Sequence, residues 1–114
     1  MTVKANDLYK YAKKNNENII RDIIDKIDEA IKITVNHTNQ KEVRLQLITT
    51  DQEMAGKYNI CGEKNLWYKV EYCIYHKLNK DKIFESIKNY YLDYSYTVIE
   101  PKRDSTIYIQ WQIP

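Results

Sequence analysis

The sequence predicts a single α+β domain, and three observations predict it. Apolar residues recur at three- and four-residue steps near the start, the period of one helical face. Four later stretches alternate with the two-residue period of a half-buried strand. A short amphipathic helix stands between the last two strand pairs, so the expected order is α-β-β-α-β-β: one antiparallel-rich sheet with a long N-terminal helix and a short second helix packed on one face.

The first helix is expected from Asn6 to Ile33, its apolar face running through Leu8, Tyr11, Ala12, Ile19, Ile20, Ile23, Ile24, Ile27, Ala30 and Ile31. Glu17 with Arg21, Asp22 with Lys26, and Asp28 with Lys32 place an acid four residues before a base. Such pairs contribute about 0.2 to 0.5 kcal/mol each in an isolated helix. Asn15 and Asn16 are poor helix formers within the stripe, and a kink or a later start is expected there.

Val43, Leu45 and Leu47 alternate with Arg44 and Gln46 in a first strand from Glu42 to Thr49. Thr50 to Asn65 contains both glycines and has no sustained period, so it is expected to be a long loop and a place to look for function. Leu66, Tyr68, Val70, Tyr72 and Ile74 define a second strand from Leu66 to Tyr75. The second helix spans Asp81 to Leu92, presenting Ile83, Phe84, Ile87, Tyr90 and Tyr91, with Asn79 or Asp81 as its N-cap. A third strand follows through Tyr94, Tyr96 and Val98. A turn at Glu100 to Asp104 contains Pro101, which suits a turn and not a ladder, and a fourth strand runs from Ser105 to Gln112. Ile107, Ile109 and Trp111 share one face of that strand, so Trp111 is expected to anchor it. The expected core includes Ile23, Ile27, Val70, Ile87, Val98 and Ile109.

Composition restricts function. A chain of 114 residues suits one domain and one core. Its 18 basic against 16 acidic residues leave a net charge of +2, too small an excess to hold a polyanion by charge alone. Two cysteines do not make a disulfide framework. With no basic-then-apolar leader and no long apolar run, the reading is a non-secreted protein without a membrane span.

No catalytic, cofactor or metal motif stands out. His37, His76, Cys61 and Cys73 lack the close spacing of structural zinc sites. Cys73 and His76 differ by an odd number, so on a strand they face opposite sides and make no nucleophile-base pair. Asp22, Asp25, Asp28 and Glu29 read as a solvated helix face, neutralised by flanking lysines. The expectation is a protein that is not an enzyme, with no cofactor and no metal.

The aromatic residues are the sharper signal. Tyr90, Tyr91, Tyr94, Tyr96 and Tyr108, with Trp67, form the candidate interface, since such rings bury area at low entropy cost and keep a polar tip for a partner. The alternative is that the tyrosines build the helix-sheet core of a protein poor in Leu and Phe. Lysines 69, 77, 80, 82, 88 and 102 with Arg103 lie near these rings in sequence, which keeps a basic-aromatic nucleic-acid surface as a minor reading.

The segment from Ile83 to Trp111 combines an amphipathic helix, Ser95-Tyr96-Thr97-Val98, a Pro-containing turn and Ile107-Tyr108-Ile109-Gln110-Trp111. It resembles the C-terminal helix and β-hairpin, ending in an Ile-x-Trp strand, of small proteins of tailed bacteriophages and large DNA viruses. The Ile- and charge-rich first helix is similar to the leading helix of many of those phage proteins. The resemblance implies a structural or accessory role in the virion or in the cytoplasm of the infected cell. Its partner would be another viral or host protein, or a second copy of the chain. The alternatives are a nucleic-acid-binding accessory factor and a host-directed inhibitor.

Overall fold

The computed structural model describes residue 5 and residues 8–62, 67–100 and 106–112, with the side chains of the first helix described from residue 17 onward. The elements are α1 (Leu8–His37), β1 (Glu42–Thr50), β2 (Tyr58–Gly62), β3 (Tyr68–Tyr75), α2 (Lys80–Asp93), β4 (Thr97–Ile99) and β5 (Thr106–Gln110). The expected start of the first helix at Asn6, the strand residue Leu66, the turn at Pro101 and the strand residue Ser105 lie outside the described residues.

The five strands form one mixed sheet in the order β2-β3-β1-β5-β4. Its central pair, β1 and β3, is parallel, and the other three pairings are antiparallel. Both helices pack on one face. Ile23, Ile27, Ala30 and Ile31 of α1 and Ile83, Ile87 and Tyr91 of α2 are buried with Val43, Leu45 and Leu47 of β1, Val70, Tyr72 and Ile74 of β3, and Ile107 and Ile109 of β5. The inward residues of every central strand are odd-numbered in β1 and β5 and even-numbered in β3, as the two-residue period requires.

Four details differ from the sequence expectation. The segment read as one long loop contains β2, which pairs antiparallel with β3 and adds a strand to the expected order. Gly56 adopts φ +89 in the turn before β2, and Gly62 lies so close to the Tyr68 ring that an added Cβ would meet it at 2.5 Å. The glycines that suggested a loop are thus a turn residue and a close-packed strand end. Secondly, α1 continues to His37 and passes Asn15 and Asn16 as unbroken helix. Near its end the buried Thr34 hydroxyl is satisfied by donating to Ala30 O at 2.7 Å.

Thirdly, the strand after α2 begins at Thr97 and not at Tyr94. Tyr94 is the C-cap of α2, and Ser95 follows in the left-handed region at φ 68. Ser95 N donates to Leu92 O and Tyr96 N to Tyr91 O, while the rings of Tyr91 and Tyr96 meet edge to face at 5.3 Å. That pattern is a Schellman cap with its usual apolar contact, built here on serine in the place glycine favours. At the other end of α2, Asn79 is the N-cap, its Oδ1 accepting from Lys82 N. Fourthly, Val98 is only half-buried, because β4 is a three-residue edge strand with a neighbour on one side alone.

Trp111 packs against the core, and its backbone N–H donates to Lys41 O, which extends the fastening of β5 beside β1. No helix among the described residues is long and apolar enough to cross a membrane.

Candidate functional site

With both helices on one face, the other face of the sheet carries no second layer from the described chain. The strand registers align one outward row across all five strands: Ile99, Tyr108, Arg44, Lys69 and Cys61. Arg44 is its centre. The guanidinium lies 4.1 Å from the Trp67 ring centroid and 4.7 Å from that of Tyr108, and its Nε donates to Glu42 Oε2 at 2.9 Å. Gln110, paired with Glu42 across the strands, donates from Nε2 to Glu42 Oε1 at 2.7 Å. An arginine between two aromatic faces, with a carboxylate fixing its orientation, is held in one geometry at modest entropy cost.

The β2 side of the same face is polar. Lys69 pairs with Glu71 at 3.3 Å, the Cys61 thiol donates to Glu71 Oε1, and Asn59 donates to the Cys61 sulfur. Burial, followed by the hydrogen bond to Glu71, pushes the Cys61 thiol above its ordinary value, so it stays a thiol and not a nucleophilic thiolate at neutral pH. Ile99 is exposed at the far end of the row.

The six aromatic candidates therefore divide between two places. Trp67 and Tyr108 flank Arg44 on the helix-free face, whereas Tyr90, Tyr91, Tyr94 and Tyr96 gather on the opposite side, where the end of α2 meets α1. There they line a cleft of about 350 Å³ together with Asp28, Ile31 and Lys32. Tyr91 is a core residue at 1% exposure. Its hydroxyl donates to Asp28 Oδ1 at 2.7 Å and lies 3.3 Å from Ile24 O. Tyr94, at 64% exposure, forms the outer lip.

Two acids that the sequence suggested were solvated have structural partners. Tyr72 donates to Asp22 and Tyr91 to Asp28, so two tyrosine-carboxylate bonds fasten α1 to β3 and to α2. Burial first, then the hydrogen bond to the carboxylate, pushes both hydroxyls far above the ordinary tyrosine value. The clue in the sequence is that Tyr72 and Tyr91 occupy inward positions, and a buried phenol needs an acceptor. Of the three helix pairs anticipated, Asp22 with Lys26 is made, at 3.7 Å. Glu17 with Arg21 and Asp28 with Lys32 do not form ion pairs among the described residues.

The other candidates stand apart. His76 sits in the turn after β3 with Nδ1 3.2 Å from Thr50 O, beyond the end of the strand that carries Cys73. His37 lines a shallow groove between α1 and β2. Among the described residues, no three His, Cys, Asp or Glu side chains converge. Comparison with protein-family models, with curated proteins and with solved structures finds no match.

Proposed function

We propose that this chain is a non-enzymatic protein-binding module, a viral or phage accessory or virion component that engages another protein through the helix-free face of its sheet. The observation that carries the reading is the Trp67-Arg44-Tyr108 stack at the centre of an uncovered face. Parallel strand pairs are normally covered on both sides, yet the outer side of the β1-β3 pair has no layer from the described chain. Trp, Tyr and Arg are also the residues that concentrate binding energy in interfaces, and here they are neighbours held in place before any partner arrives. The C-terminal helix-and-hairpin resemblance supports the viral part of the reading.

The nucleic-acid alternative is weaker for a local reason. The two cations at the centre of the face, Arg44 and Lys69, each lie against a carboxylate of their own chain, Glu42 and Glu71. Their charge is already compensated, and phosphate contacts depend on uncompensated charge.

A photo-cross-linking residue placed at position 108 in the cell of origin tests the proposal. One discrete protein adduct is expected, lost on Arg44→Glu while the melting midpoint is kept. The same residue placed at 54 should give no such adduct. An adduct from position 54 with none from position 108 would overturn the assignment of the face. Recovery of the chain in purified particles at a fixed copy number would identify the partner as a virion component.

A further inference from the structure

We propose that the tyrosine cleft binds an organic ammonium cation, its alkylated head held among Tyr90, Tyr94 and Tyr96 and its charge met by Asp28. This inference does not rest on the helix-free face. It stands on three features of the opposite side of the molecule.

The first is the shape of the walls. Tyr90 meets Tyr91 at 84° and 5.1 Å, Tyr91 meets Tyr96 at 87° and 5.3 Å, and Tyr90 meets Tyr94 at 44° and 4.9 Å. The four rings pack edge to face or tilted against one another, and together they line one cleft with Asp28, Ile31 and Lys32. The resulting cleft of about 350 Å³ is at the lower end of the roughly 300 to 1,000 Å³ usual for small-ligand sites, the size for a head group and not for a large ligand.

The second is charge. Asp28 lines the cleft and accepts one hydrogen bond, from Tyr91, but makes no ion pair among the described residues. Lys32 also lines the cleft, is exposed, and makes no ion pair with Asp28. Asp25 is a second carboxylate beside Tyr90, whose hydroxyl is pushed upward by burial first, then by Asp28, by its neighbour Tyr94 and by Asp25.

The third is a contrast within the molecule. Four aromatic rings elsewhere do lie against a cation of the same chain: Lys26 lies 4.4 Å from Tyr58, Arg44 is stacked with Trp67 and Tyr108, and Lys77 lies 5.9 Å from Tyr75. The densest aromatic cluster has no lysine or arginine over any of its four rings among the described residues. Aromatic faces within about 6 Å of a quaternary or alkylated ammonium attract it through the ring quadrupole, and a nearby carboxylate adds direct charge attraction. A free small cation and a methylated lysine side chain present the same chemistry.

The test titrates choline chloride, and an uncharged isostere in which tert-butyl replaces the trimethylammonium head, into the full chain while tyrosine ring signals are followed by NMR. Choline should shift the Tyr90 and Tyr94 signals saturably, and the isostere should not. Tyr94→Ala removes a mostly exposed ring without touching the core, and should weaken choline about three- to tenfold; Asp28→Asn should weaken it at least as much. A trimethyl-lysine peptide that binds more tightly than choline would identify a protein side chain as the source of the cation, and equal affinities would identify a free small cation. Non-saturable shifts, equal response to the isostere, or unchanged affinity in a folded Tyr94→Ala protein would overturn the proposal.

Discussion

The helix-free sheet face and the tyrosine cleft use the same kinds of side chain for opposite purposes. On the sheet face an arginine of the chain itself lies between Trp67 and Tyr108 and is oriented by Glu42. In the cleft the rings surround a carboxylate, and Tyr91 at its floor is part of the core. The first cluster lies outside the core and the second grows out of it. An aromatic residue therefore gains its role from the layer it faces and not from its position in the sequence.

Truncation separates the two clusters most strongly. Tyr91→Ala should cost about 3 to 5 kcal/mol, because a fully buried aromatic ring is removed from between two helices. Tyr108→Ala should cost no more than about 1 kcal/mol, because it loses one cation-π contact on a solvated face. Chemical denaturation of the two variants checks this, and equal losses would erase the distinction.

A finer cut is Tyr91→Phe, which keeps the ring and removes the hydroxyl. The loss should be about 1.5 to 3 kcal/mol, the range for a hydrogen bond to a charged group. A double-mutant cycle with Asp28→Asn should show that the two changes are not additive. Additive losses would mean that the bond does not fasten the helices.

Alkaline pH probes the same bonds. Both Tyr72 and Tyr91 have hydroxyls raised well above the ordinary value of 10.0. Below that pH the phenols are protonated in folded and unfolded chains alike, and their contribution is complete. Above it the unfolded chain ionises first, so stability falls as pH climbs toward the raised folded values. The melting midpoint should drop above pH 10, less steeply in Tyr91→Phe, and tyrosinate absorbance from these two residues should emerge only with unfolding.

The smallest effect concerns the hinge between the cleft and the hairpin. Ser95→Gly should stabilise the protein by about 1 kcal/mol, since glycine adopts the left-handed conformation without the Cβ penalty. A destabilised variant would show that the serine side chain contributes something the cap geometry does not reveal.

Much of this architecture was legible in the residue pattern. Both helices, the central strands and the cap at Asn79 follow from period and composition, because each buries one continuous apolar face. The strand β2 was not legible. It has only Ile60 as an inward aliphatic residue and lies at a sheet edge between a turn glycine and a packed one. The parallel pairing of β1 with β3 is a long-range choice that no local period encodes. The candidate surface was legible only as a list of aromatics. That Trp67 and Tyr108 leave the other four, and that Asp22 and Asp28 serve as acceptors, depends on strand order and on the rotation of α1 about its axis.

Oxidative footprinting tests the division of labour most directly, because it reads both clusters in one experiment. Modification of Trp67, Tyr108, Tyr94 and Met54 would be compared between the purified chain and the chain in its native extract. The account predicts that Trp67 and Tyr108 become protected in the extract while the exposed Met54 is unchanged. Equal modification of Trp67 and Tyr108 in both states, with protection elsewhere, would contradict it.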